Sequence, residues 1–258
     1  MSVKFSAMSF NMQFGQRWDP VDPAKAPIQL EATIELLKEH PHDVILLQEV
    51  EQARVGGEQL EPPPNFSRIQ AAFPDYDGVF AYPRINPDEL PFGIALAILS
   101  RTPINDFVSC ALPPANVQFK FEGQPKMPSH RQFLRATTVI NGHALQLFNT
   151  HLQAFFMINA TSNEHREQRD IVEQAIRRAT GAALLGGDFN CAPDEKVVEQ
   201  FADAGFRTAQ TGVITWRHRP YVTDHLFFND RLRLVESSVI DTDCSDHRPV
   251  SAVFELGG

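Results

Sequence analysis

The stretch Leu184-Leu185-Gly186-Gly187-Asp188-Phe189-Asn190 limits this chain more than any other. Residues 182–186 are all small or apolar, which suits a buried strand, and the run then stops at Gly187. Side chains alternate along a strand, so Asp188 and Asn190 leave on one side and Phe189 on the other. A carboxylate and a carboxamide emerging together can bind a metal-held phosphate and orient a water. A simple Asx turn would use the same residues, so the stretch acquires meaning only from the rest of the chain.

The rest of the chain repeats the pattern. Asp43-Val44-Ile45-Leu46-Leu47-Gln48-Glu49 is a solid apolar run ending in two polar residues. Consecutive large aliphatics of this kind suit a strand buried on both faces. Further strands are predicted over 3–10, 76–82, 94–100, 106–112, 133–140, 144–150, 221–228, 232–240 and 250–256. Apolar residues at helical spacing predict helices over 28–39 and 161–179, the second opened by a capping box of Thr161 and Glu164. Shorter helices are expected over 65–73, capped by Asn65, and over 194–204, ended by Gly205. The stretch 113–129 carries four prolines and reads as a long surface loop. Few helices among many strands, with hairpin-length gaps, argue against regular strand–helix alternation. A mixed α/β architecture of two packed sheets with helices outside is expected, as one domain over 1–258.

Composition narrows the possibilities. At 258 residues, 43% hydrophobic and 21% charged, the chain can bury a substantial core. Its 23 basic against 32 acidic residues give a net charge of −9 with no basic run, which argues against nonspecific binding to duplex nucleic acid. A nuclease is still compatible, because metal-site carboxylates raise the acidic count and a bound ion offsets them locally. Cys110, Cys191 and Cys244 are too few and too scattered for a disulfide framework or a paired-cysteine metal site. The N-terminus lacks the apolar core of a signal peptide, and no apolar run approaches the ~18 residues of a transmembrane segment. A cytoplasmic protein is expected; the oligomeric state is not legible. None of the nine histidines falls in an HExxH pattern, which sets zinc hydrolase chemistry aside. His40, His42, His143 and His218 are expected on the surface or in loops.

Six polar clusters stand at the ends of apolar runs. They are Asn11, Gln48-Glu49, Asn149-Thr150-His151-Leu152, Gly187-Asp188-Phe189-Asn190, Asp224-His225 and Ser245-Asp246-His247-Arg248-Pro249. Each alone has a bland reading: His151 as a satisfied structural histidine, Glu49 as a solvated strand end. Six in the same kind of location are hard to attribute to turns. In this order they resemble the endonuclease/exonuclease/phosphatase superfamily, over nearly the whole chain from 11 to 249. In residues 150–154 and 166–169 the resemblance is nearest to its neutral sphingomyelinase-like branch.

The resemblance implies a DNase I-like fold, a four-layer α/β sandwich of two packed mixed sheets flanked by helices. It implies Mg²⁺ or Mn²⁺ and hydrolysis of a phosphoester. Glu49 would be a metal ligand, with Asn11 adding a carbonyl or holding Asp188, and Asp246 assisting. His247 would be the general base and Asp224 the carboxylate that fixes its tautomer. Asp188 and Asn190 would orient nucleophile and phosphate, and His151 would donate to a phosphoryl oxygen as charge develops.

Fold does not choose the substrate. The expected reaction is phosphodiester hydrolysis, the partner being a lipid headgroup, a small molecule or a nucleic acid. The apolar stretch Phe155-Phe156-Met157-Ile158 after His151 could touch lipid or pack under the site. Arg131 could clamp a phosphate or be a solvated charge, and Arg135 favours the solvated reading. A nuclease is the alternative function; a non-catalytic binding protein is disfavoured because every expected catalytic position holds a competent residue.

Overall fold

The computed structural model describes residues 3–54, 58–84, 94–121 and 123–256. β1 (Val3–Asn11), α1 (Leu30–Glu39) and β2 (Val44–Gln48) form a parallel strand–helix–strand unit. α2 (Pro64–Ala72), β3 (Asp77–Ala81), β4 (Leu96–Ser100) and β5 (Ile104–Ala111) follow. A small hairpin, β6 (Phe119–Phe121) with β7 (Gln124–Lys126), precedes a long one, β8 (Gln132–Ile140) with β9 (His143–His151). β9, α3 (Glu167–Arg177) and β10 (Ala182–Asp188) make a second parallel unit. α4 (Val197–Asp203), β11 (Phe206–Thr208), β12 (Asp224–Asn229), β13 (Leu232–Val239) and β14 (Val250–Leu256) complete the chain.

The strands form two six-stranded sheets, β13-β14-β1-β2-β4-β3 and β11-β12-β10-β9-β8-β5. Each sheet has one parallel pair at its centre, β1 with β2 and β9 with β10, flanked by antiparallel strands. Three apolar clusters separate four layers. Between the sheets, Ala7, Val44, Leu46 and Ile98 meet Leu134, Leu147, Leu184 and Leu226. On the outer face of the first sheet, Met8, Phe10, Ile45 and Leu47 pack with Leu36 and Leu37 of α1 and Ile69 of α2. On the outer face of the second, Phe148, Leu185 and Phe227 pack with Val172 and Ile176 of α3 and Phe201 of α4. Adjacent residues such as Leu46 and Leu47, or Leu184 and Leu185, thus enter different cores. This accounts for apolar runs without polar interruption, each large aliphatic contributing about 1.5–3 kcal/mol on burial.

The two glycines of β10 answer to two close approaches. A Cβ at Gly186 would lie 2.5 Å from Leu46 Cδ1 of the opposite sheet, and one at Gly187 would lie 2.4 Å from the Thr150 carbonyl oxygen of the neighbouring strand. Gly186 thus admits the opposite sheet and Gly187 the neighbouring strand of its own, just before the chain reaches Asp188.

Several local expectations are corrected. α3 begins at Glu167, not at 161, and the Thr161–Glu164 box does not form. Instead Thr161 Oγ donates to Glu195 Oε1 at 3.1 Å, tying this segment to the loop after β10. α2 has no side-chain cap at Asn65; the Glu51 carboxylate accepts from the Asn65 and Phe66 amides from across the preceding loop. The stretch 113–129 contains the β6–β7 hairpin. His42 is buried, its Nε2 2.7 Å from Ser251 Oγ of β14. Among the described residues no helix is long and apolar enough to cross a membrane.

Candidate active site

Topology gathers the six clusters. β1 and β2 run parallel and end at one edge of their sheet, and β9 and β10 end at the same edge of theirs. The antiparallel neighbours β14 and β12 begin there. Asn11, Glu49, His151 and Asp188 therefore arrive at strand exits, Asp224 and His247 at strand entries. Glu49 and Asn190 both turn with positive φ, +50° and +46°. That conformation is ordinary for Asn and uncommon for Glu, costing on the order of 1 kcal/mol or more.

Asp188 is the hub. Its Oδ1 accepts from the Asn190 amide at 2.9 Å and its Oδ2 from Asn11 Nδ2 at 3.0 Å. The same Oδ2 lies 3.4 Å from His151 Nε2 and 3.7 Å from His247 Nε2. Asn11 Nδ2 also reaches Glu49 Oε1 at 3.2 Å, while Asn11 Oδ1 accepts from the Gln13 amide at 3.1 Å. Asn11 Nδ2 thus clamps two carboxylates, while its oxygen, engaged by the Gln13 amide, keeps a second lone pair.

Each histidine has a defined polarity. His247 Nδ1 lies 2.8 Å from Asp224 Oδ2, which also accepts from Thr223 Oγ at 2.9 Å. This leaves His247 Nε2 facing Asp188 and, at 3.9 Å, Asp246 Oδ1. Asn190 Nδ2 donates to the Leu152 carbonyl at 3.0 Å and to His151 Nε2 at 2.8 Å. The His151 proton is thereby placed on Nδ1, which is buried without a hydrogen-bond partner, 3.9 Å from Glu49 Oε1.

The electrostatics follow from burial and crowding. Burial, with Asp246 nearby, pushes Glu49 up to about 7, although 17% of its side chain is open to solvent. Burial and Asp224 push Asp188 up to about 7. Burial alone would lower His247, but Asp224, Asp246 and Asp188 together raise it well above its ordinary value. His151 is held well below its ordinary value by burial, Arg131 and His247, and is neutral. Burial would raise Asp246, yet His247 and His218 keep it below the usual carboxylate range.

Parts of the six clusters serve the scaffold. Gln48 Nε2 donates to Asn149 Oδ1 at 2.7 Å, and Asn149 Nδ2 donates to the Leu47 and Ala97 carbonyls, a buried bridge between the sheets under the site. His225 points away, stacked on Phe227. Other residues join the site unannounced. Trp216 Nε1 donates to Asp246 Oδ2 at 3.2 Å, and His218 Nε2, on an exposed turn as expected, lies 3.3 Å from the same oxygen. Thr215 Oγ accepts from the Thr223 and Asp224 amides, and Gln13 Oε1 accepts from the Asp246 amide. Trp216 and Tyr221, a short interval before Asp224, were the available signal for this loop.

The chain belongs to the Endonuclease/Exonuclease/phosphatase family, whose model matches residues 8–247. Proteins of this family act on phosphoesters. The chain resembles an endonuclease/exonuclease/phosphatase from Beutenbergia cavernae (TM-score 0.73, 20% identity, 99% of this chain and 72% of that one). It resembles one from Bacteroides vulgatus similarly (0.72, 17%, 99% and 100%). A mannosyl-6-phosphatase from Bacteroides thetaiotaomicron shares the fold at TM-score 0.66 and 16% identity, over 97% and 99% of the two chains. No curated protein sequence matches the chain.

Proposed function

We propose that this protein is a divalent-metal-dependent phosphodiesterase acting on a small phosphodiester or phospholipid headgroup, with His247 as general base. The observation that carries this reading is the His247–Asp224 pair at 2.8 Å, with the free Nε2 facing the Asp188–Asn11–Glu49 cluster.

The donor set fits Mg²⁺ or Mn²⁺. Glu49, Asp188, Asp224 and Asp246 crowd one pocket edge, two of them are pushed to about 7, and Asp224 Oδ1 is buried without a partner. A grouping of Asp188, Asp224 and His247 as ligands is possible by distance alone. We favour Glu49 and Asp246 as the holders, because the Asp224 and His247 atoms that face each other are already hydrogen-bonded. Bound there, the ion would act as a Lewis acid on phosphoryl and leaving oxygens. The chain's own residues supply the rest. Asp224 holds the Nδ1 proton so that Nε2 can take one from water. Asp188 and Asn11 orient that water and the phosphate, and the unpartnered His151 Nδ1–H donates to a phosphoryl oxygen as charge develops. Asp246 is both one of the carboxylates that keep His247 protonated and one that a cation would neutralise, which would ease the loss of that proton.

Hydrolysis of bis-p-nitrophenyl phosphate with Mg²⁺, Mn²⁺ or EDTA, beside His247→Ala, tests this. Metal-dependent turnover reduced at least about a hundredfold in the variant, with thermal unfolding nearly unchanged, is expected. Near-full activity in His247→Ala would sink the assignment.

A further inference from the structure

One wall of the site is aromatic, and a cation already lies on it. Trp216 is anchored on Asp246 and its ring is 6.3 Å from that of His247, tilted by 30°. Phe156 lies 5.4 Å from Trp216 and 5.3 Å from Tyr221, edge-on to the latter. All three rings are partly exposed. A group of aromatic faces beside a phosphoester site has the makings of a cage for a quaternary ammonium, since ring faces attract cations. Here the attraction is used internally. The Arg219 guanidinium lies 5.5 Å from the Phe156 ring centre and 5.8 Å from that of Tyr221.

We propose that Arg219 is a specificity-determining residue, which excludes positively charged substituents and admits neutral or anionic ones along the Phe156–Trp216–Tyr221 wall. This rests on the phosphodiesterase reading for its place in catalysis, but the selectivity is a property of the wall itself. A choline group would have to displace Arg219 from both rings and then share the wall with a like charge. A neutral group of the same shape meets only the apolar surface. Arg219 is exposed and makes no ion pair among the described residues. Replacing it therefore leaves no buried partner behind.

The test isolates charge from shape. Phosphocholine and its carbon isostere 3,3-dimethylbutyl phosphate are titrated against the protein by Trp fluorescence, and their p-nitrophenyl diesters are compared as substrates. The wild type is expected to favour the neutral member in both assays. In Arg219→Gln that preference should fall by about fivefold, the scale of one cation–π contact with its like-charge counterpart removed. Phe156→Leu, which weakens the hold on Arg219, should shift it in the same direction by less. An unchanged ratio in Arg219→Gln, or a wild-type preference for the choline member, overturns the proposal. If neither diester turns over while the binding ratio shifts as expected, the catalytic reading fails and the selectivity stands.

Discussion

At the scale of single residues, the site is a set of side chains whose polarity is fixed by one neighbour each. Asp224 determines which nitrogen of His247 faces the cleft, and Asn190 does the same for His151. Asp224→Asn is the sharpest probe, because it keeps the shape and loses the charge. Loss of the correct tautomer is expected to lower kcat by about a hundredfold or more, as in other His–carboxylate pairs, with KM and melting temperature little changed. A variant retaining wild-type kcat would show that Asp224 does not govern the base. The residues legible in the sequence were those whose chemistry is rare at strand ends: Glu49, His151, Asp188 and His247. Trp216, His218 and Gln13 were not legible, since their roles depend on which loop folds onto Asp246. Asn11 was recognised, but whether its oxygen or its nitrogen faces the carboxylates is decided by the Gln13 amide, which no spacing reveals.

At the scale of elements, β10 carries the first prediction. Gly186 faces a flexible leucine terminus across the sheets, whereas Gly187 faces backbone. Leu46 can rotate away from a new methyl and the Thr150 carbonyl cannot. Gly186→Ala is expected to cost about 1–3 kcal/mol and Gly187→Ala more, in denaturant unfolding; the reverse order would mean that the strand, not the side chain, yields. β12 supplies the second test, which depends on pH. Burial lowers His225 from 6.5 to about 4. The folded state thus refuses a proton that the unfolded chain accepts. The stability from keeping His225 neutral is fully present above pH 6.5 and is lost as pH falls towards 4, about 3 kcal/mol in all. Unfolding of His225→Gln should show a shallower loss over that window; an equal slope would assign it to other groups. Strand positions were readable because apolar runs and alternation are local. The start of α3 and the cap of α2 were not readable because residues remote in sequence intervene: Glu195 takes the Thr161 hydroxyl and the Ser162 amide, and Glu51 takes the Asn65 and Phe66 amides.

At the scale of the whole molecule, four layers could be inferred from residues such as Leu46-Leu47 and Leu184-Leu185, whose unbroken apolar runs require cover on both faces. Strand order could not, because pairing is settled by long-range register. The arrangement divides the site evenly. Asn11, Glu49, Asp246 and His247 come from the sheet that holds β1, and His151, Asp188, Asn190 and Asp224 from the sheet that holds β9. The pairing of β1 with β14 has a temporal meaning. On a ribosome the first strand emerges long before its partner, and His247 lies immediately ahead of that partner. Until β14 docks beside β1, His247 has no route to its place opposite Asp188, so the site is assembled only by a pairing between parts of the chain made far apart in time.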